Sequence, residues 1–293
     1  MANSRSVASH GSATRRAGYG ARSDGRTAAD EEPVNRDGEV APWGRRQLGR
    51  RTHDDLRGLA RAPRPVPPSV WALPDPDDAD EDGVVGVGAD LSPPTLVDAY
   101  RRGIFPWPHP GVPLPWFSPD PRGVLDPAQP HCARSLRRTL RRCGWHTTVD
   151  AAFDEVVAAC ADQRGAAGTW ITGSMARAYG RLHELGWAHS IEVWDGGRLV
   201  GGLYGVQVGG VFTGESKFHR VTDASKVAML DLADRFLAAG GRLLDVQLTT
   251  DHLRSLGALD VPRPRFLSIL ADERDRDVRL SVEPLPADRL AHR

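Results

Sequence analysis

Apolar residues change their spacing several times along this chain, and each change marks an expected element. Residues 1–67 show no sustained apolar periodicity and end in a proline-dense run, the pattern of a disordered extension. From Val70 to about Leu125, short apolar runs are broken by glycines, prolines and Trp71, Trp107 and Trp116, which predicts turns packed on aromatics. One short helix is expected there, starting at Ser92 as N-cap with Pro93 in the first helical position and stopping near Gly103. Residues 135–142 and 150–160 take helical spacing, the second stretch placing Phe153, Val156, Val157 and Cys160 on one side. A third helix over 174–185 ends at Gly186. The period then drops to two. Residues 189–194, 198–206 and 210–215 read as an antiparallel meander with a turn at Asp195-Gly196-Gly197. A helix capped by Thr222 or Asp223 runs to Ala239, a strand returns over 242–248, and 251–256 is a last short helix.

Meander, helix, strand, helix is an α+β plan resembling the acetyltransferase (GNAT) core. It divides the chain into an extension (1–67), a small loop-rich N-terminal domain (68–130), an acetyltransferase-like domain (131–270) and a C-terminal tail (271–293). Composition narrows the setting. The 38 basic and 38 acidic residues cancel, so any contact with nucleic acid must be local. Cys132, Cys143 and Cys160 are odd in number and lack zinc or CxxC spacing, which points to a reducing cytoplasm and to no metal site. No apolar run reaches the roughly 20 residues a bilayer needs, and no signal peptide is expected.

In the strand over 242–248, Asp245 and Gln247 should project to one face about 7 Å apart, leaving Leu244, Val246 and Leu248 on the buried side. Such a pair either caps a neighbouring element or faces a cleft. Glu215 follows at the end of the third meander strand, where it either joins that cleft or pairs with Lys217 or an arginine. Arg134, Arg137, Arg138 and Arg141 fall on one helical stripe, either a solvated face opposite Leu136 and Leu140 or a track for phosphates. P-loop, GxSxG, HExxH and kinase signatures are all missing from the sequence.

Several motifs then occur in order. They are Gly86-Val87-Gly88-Ala89-Asp90-Leu91, Ala99-Tyr100-Arg101-Arg102-Gly103-Ile104-Phe105-Pro106-Trp107, Trp116-Phe117-Ser118-Pro119-Asp120-Pro121-Arg122, Thr169-Trp170-Ile171, and His189-Ser190-Ile191-Glu192-Val193-Trp194. After them come Gly201-Gly202-Leu203-Tyr204-Gly205, Gly214-Glu215-Ser216, Ala224-Ser225-Lys226, and the stretch from Asp245 and Gln247 through His252 to Ala258. Together, over about 68–268, they resemble the leucyl/phenylalanyl-tRNA-protein transferases.

The resemblance implies transfer of leucine or phenylalanine, and methionine less well, from aminoacyl-tRNA to proteins beginning with Arg or Lys, marking them for degradation. It implies a soluble, monomeric enzyme without a cofactor. It carries catalytic roles onto Asp245, Gln247 and Glu215, and a donor side-chain pocket onto Trp170, Leu203, Phe212 and Phe236. Two departures stand out: Leu203 where some members carry Met, and Thr250 where Asn is frequent. Two rival readings use the same core. An acyl-CoA acetyltransferase needs a glycine-bearing phosphate loop before its main helix, and residues 218–225 contain no glycine. A non-catalytic tRNA-binding module accounts for the arginine stripe but not for the Asp245 and Gln247 face.

Overall fold

A computed structural model describes residues 58–163 and 169–292; the rest of the expected extension lies outside these residues. A three-stranded sheet forms first, from β1 (Val84–Val87), β2 (Phe105–Pro106) and β3 (Pro115–Phe117) in the order β1-β3-β2. Between its strands runs α1 (Pro93–Arg101), entered as expected from Ser92. The Ser92 hydroxyl does not cap the helix but donates to Asp90, which also receives Thr95.

Next come β4 (Arg122–Leu125), α2 (Arg134–Leu140), β5 (His146–Val149), α3 (Phe153–Asp162) and α4 (Gly173–Glu184). The meander follows as β6 (Ala188–Asp195), β7 (Arg198–Val208) and β8 (Val211–His219). Its strands run longer than period-two spacing predicts because they are covered on both faces, so their ends read as continuous apolar runs. Then come α5 (Ala224–Ala238), β9 (Leu243–Gln247), α6 (Asp251–Arg254), β10 (Leu259–Val261), α7 (Arg263–Glu273) and β11 (Leu285–Pro286). The large sheet has the order β10-β4-β9-β8-β7-β6-β5-β11. Its neighbours are antiparallel except β8 and β9, a parallel pair joined by the crossover helix α5. The fold is α+β.

Alternation along the strands sends successive side chains to opposite faces. Leu199, Val211 and Leu243 enter one core with α1, α3 and α4, while Val200, Phe212 and Leu244 enter a second core with α2 and α5. Burying about 25 cal/mol per Å² of apolar surface on both faces is what holds such a layered sheet together.

Two expectations about the chain ends are corrected. The segment 58–67 is sewn onto the core. Ala60 N–H donates to Leu280 O at 2.7 Å, and the Trp187 indole donates to Arg64 O at 2.8 Å. Gly186, at φ +79, is pressed so closely on this segment that a Cβ would lie 2.5 Å from Ala62 O. Residues 271–292, expected as a C-terminal tail, also pack onto the core. Val278, Leu280, Ala287, Leu290 and Ala291 are buried, and the buried Arg235 guanidinium donates to the carbonyls of Ser281 and Glu283. Their apolar residues are isolated among charges and prolines, so no periodicity betrays them. The described residues contain no helix long and apolar enough to cross a membrane. Cys132, Cys143 and Cys160 are free thiols.

Candidate active site

The parallel pair β8 and β9, with β4 beside it, holds the polar residues singled out from the sequence. Asp245 is fully buried and accepts four hydrogen bonds. Arg122 Nε and Nη2 reach its two oxygens at 2.8 and 2.7 Å, Thr213 Oγ1 donates at 3.0 Å, and the Gln247 backbone N–H donates at 3.0 Å. Arg122, on β4, is 1% exposed and sandwiched between the rings of Phe105 and Phe266, 4.9 and 4.4 Å from its Cζ. A third hydrogen bond runs from Nη1 to Gly103 O at 3.0 Å. A fork-to-fork pair of this kind is both strong and directional. It fixes the Asp245 strand before any substrate arrives.

Gln247 corrects the alternation expected for β9. Its backbone turns into the left-handed region at φ +63, a conformation that disfavours non-glycine residues. The strand ends there, and Leu248 is 44% exposed instead of sharing the buried face of Leu244 and Val246. The turn swings the Gln247 side chain toward β8, where Nε2 donates to Glu215 Oε1 at 3.3 Å. The tie between Asp245 and Gln247 therefore runs through the backbone N–H and not through the side-chain amide. Opposite Gln247 on β4 sits Gly123, where a Cβ would lie 2.9 Å from Thr249 N, so only glycine leaves room for this turn.

Glu215 is held by two tyrosines that the sequence reading gave no role. Tyr100 Oη, from α1, contacts Oε1 at 2.7 Å; Tyr179 Oη, from α4, contacts Oε2 at 2.7 Å; and the two phenols lie 2.8 Å apart. These three short contacts need three protons, and the phenols supply two. The triangle closes only when the Glu215 carboxyl carries the third. Burial pushes Glu215 up to about 7, opposed by the tyrosine hydrogen bonds and assisted by the charge of Asp245. Burial, then the charge of Glu215, raises both phenols well above their usual range, so they stay protonated.

Beside this polar group lies a cavity of about 200 Å³. Leu203, Phe212, Met229, Leu232, Leu244 and Val246 form its apolar wall, and Glu215, Asp245, Gln247 and Thr250 stand on its polar side. Drug-sized ligands occupy about 300–1,000 Å³; this cavity has the scale of one amino-acid side chain. Of the four pocket residues expected, Leu203 and Phe212 line it. Phe236 does not, but backs Phe212 with ring centroids 6.1 Å apart, wholly buried in the core. Trp170 is also outside the lining and packs, half-buried, against the other core. Aromatic spacing alone does not separate a wall from the layer behind it. Thr250 serves as N-cap of α6, accepting from Leu253 N–H at 3.2 Å. Arg134, Arg138 and Arg141 are exposed on and just beyond α2, Arg137 is half-buried, and none of them reaches the cavity.

One cluster among the described residues has the makings of a metal site: Asp150, His183 and His189, with ligand atoms within 4.8 Å of one another. Its atoms are engaged internally. His189 Nδ1 lies 2.7 Å from Asp150, and His183 Nδ1 lies 3.0 Å from Ala188 O. Burial raises the Asp150 carboxyl, but His189 and the hydrogen bonds bring it below the usual range. A wider groove of about 950 Å³, between 61–69, α1 and 274–279, carries arginines and aspartates together and none of the predicted site residues.

An apolar cavity on the scale of one side chain, flanked by the Gln247 amide and the carboxyls of Glu215 and Asp245, lies on an α+β core. Comparison with known proteins gives the particular family. The profile described as leucyl/phenylalanyl-tRNA protein transferase matches residues 124–271, and that of its N-terminal domain matches 89–120. A leucyl/phenylalanyl-tRNA–protein transferase of Chromohalobacter salexigens is 53% identical over 204 residues, covering 69% of this chain and 80% of that one. Proteins of the same name are 52% identical over 206 residues in Anaeromyxobacter sp. strain K (70% and 88% covered) and 50% identical over 202 in Klebsiella pneumoniae strain 342 (68% and 86%). The chain belongs to the leucyl/phenylalanyl-tRNA–protein transferase family and is an aminoacyltransferase.

Proposed function

We propose that this enzyme takes leucine or phenylalanine, and methionine less well, from its tRNA and joins it to proteins beginning with Arg or Lys, acting as a monomer in the cytoplasm and marking those proteins for degradation. The observation that carries the reading is the Gln247 amide, held by Glu215 through Nε2 at the rim of a cavity sized for one side chain.

The donor is an ester, already activated. The attacking α-amine nitrogen bonds to the ester carbon, the bond from that carbon to the ribose oxygen breaks, and the released ribose hydroxyl takes up a proton. The enzyme's task is chiefly positioning. With Nε2 engaged by Glu215, Gln247 Oε1 is left to accept a hydrogen from the incoming amine and to stabilise its developing positive charge. Asp245 acts through the backbone, holding the Gln247 turn and keeping a negative charge beneath it. Glu215, its carboxyl pushed up to about 7 inside the tyrosine triangle, is suited to orienting Gln247. The donor side chain enters against Leu203 and Phe212, with Phe236 as backing; each methylene accommodated there is worth about 1–3 kcal/mol of discrimination. The arginine stripe of Arg134, Arg137, Arg138 and Arg141 follows the tRNA backbone.

The donor requirement tests this against the acyl-CoA reading. Given an Arg-initiated peptide, the enzyme should add one leucine residue, seen as a mass gain, from Leu-tRNA and none from leucyl-CoA. Transfer from the thioester at a comparable rate would overturn the tRNA-dependent assignment.

A further inference from the structure

Away from the cavity, metal-ligating side chains gather at the corner where β5 ends and α4 hands the chain to β6. Asp150 follows β5, His183 lies in the last turn of α4, and His189 is the second residue of β6. One donor atom from each lies within 4.8 Å of the other two. His189 Nδ1 is 2.7 Å from Asp150 Oδ2, while His183 Nδ1 is 3.7 Å from Asp150 Oδ1 and 3.0 Å from the carbonyl oxygen of Ala188. Ligand atoms bonded at about 2.0–2.1 Å to a tetrahedral ion stand about 3.4 Å apart. The separations here bracket that value. Asp150 and His183 keep 14% and 27% of their side chains exposed, which gives an ion a way in, and His189, at 4%, forms the floor.

Each donor is held in place by its surroundings. Asp150 sits in the left-handed region at φ +59, a strained conformation for a residue with a side chain. Its Oδ1 accepts from Ser190 N–H at 3.0 Å, and its own N–H donates to Ser190 O at 3.1 Å. The His183 ring lies flat on Phe153, with centroids 4.2 Å apart and planes 6° apart. Both Nδ1 atoms face oxygens that only accept, so both carry their hydrogens. Coordination moves each hydrogen to Nε2 of the same ring, a tautomeric change that leaves the ring's charge unaltered. A carboxylate and a divalent ion then leave one net positive charge at the C-terminal end of α4, where the helix dipole favours a cation. Two imidazoles with one carboxylate suit Zn2+ and its neighbours, whereas Mg2+ and Ca2+ take shells of oxygen.

We infer that Asp150, His183 and His189 form a binding site for a divalent transition ion of the Zn2+ class, which clamps the end of α4 to the corner of β5 and β6. The Ala188 carbonyl is placed to add a fourth oxygen. None of these residues lines the cavity, so the ion has no part in the transfer step. Its effect is on the scaffold: Tyr179 stands one turn before His183 on α4 and hydrogen-bonds Glu215, so the clamp fixes the helix that carries one arm of the tyrosine triangle.

The test uses the full chain, treated with a chelator and dialysed, then titrated with Co2+, whose visible d–d absorption reports tetrahedral coordination, and with Zn2+ by displacement. The parent protein should take up one equivalent. Zn2+ at about 100 times its Kd should raise the ratio of folded to unfolded protein about a hundredfold, seen as a higher melting temperature. Asp150→Asn and His183→Gln, each shown to fold by melting in chelator, should weaken Zn2+ binding at least about tenfold and abolish the Co2+ band. Cys143→Ser should bind as the parent does, which separates this site from capture by a thiol. Absence of saturable uptake by the parent, uptake that survives either Asp150→Asn or His183→Gln, or a loss in Cys143→Ser would overturn the site.

Discussion

Replacing Glu215 with Gln tests the tyrosine triangle through stability. In the folded protein the carboxyl sits under Tyr100 and Tyr179 and is pushed from 4.5 to about 7. At 1.36 kcal/mol per pKa unit, that displacement corresponds to about 3 kcal/mol. The sign follows from proton binding. Between pH 4.5 and 7 the folded state holds a proton that the unfolded chain has released, so stability falls as pH rises. The contribution is fully present below about 4.5 and lost above about 7. Glu215→Gln keeps the shape of the group, retains a donor for the triangle and cannot ionise. Urea unfolding of both proteins at pH 5, 6, 7 and 8, with the two free energies subtracted at each pH, removes the titration of every other group. The difference should move by roughly 3 kcal/mol in favour of the variant between the acid and alkaline ends. A flat difference, or one moving the other way, would refute the assignment of a shared proton to this triangle.

Two further outcomes follow from the same geometry. Arg122→Met leaves Asp245 charged and buried without its fork and should destabilise the fold by about 3–5 kcal/mol in urea unfolding. Adding Asp245→Leu should recover most of that stability while transfer remains lost; recovery of activity as well would show that Asp245 has no part in the reaction. Leu203→Phe fills part of the cavity. Its kcat/KM should fall more for Phe-tRNA than for Leu-tRNA, by roughly tenfold, consistent with about 1–3 kcal/mol per methylene of misfit. An equal fall for both donors, accompanied by a lowered melting temperature, would instead mark general damage to the core.

Much of this site can be read from the sequence because local periodicity carries it. Two-residue spacing over the meander, the crossover helix between Asp223 and Ala239, and the strand around Asp245 together bring Glu215, Asp245 and Gln247 to one place. Three features escape such a reading. Arg122 meets Asp245 across 123 positions of sequence, and Tyr100 and Tyr179 meet Glu215 from two different helices. All three stand in or near the family-like motifs, yet no pattern of spacing pairs them with a carboxylate. Gln247 turns into the left-handed region because Asp245 and Gly123 give its backbone a place to go, a tertiary effect that strand alternation ignores. The cavity wall was half legible: Phe212 and Phe236 are equally aromatic and equally buried, and only their order in depth decides which one meets the donor. Residues 58–67 and 271–292 escape such a reading because their few buried residues, Ala60 and Leu280 among them, are too sparse to form a period.

The most direct test of the central claim uses Leu-tRNA labelled on the amino acid and two peptides that differ only in their first residue, Arg or Ala. Label should appear on the Arg peptide, at its N-terminus, and stay at background on the Ala peptide. Label on neither peptide, or equal label on both, would contradict it.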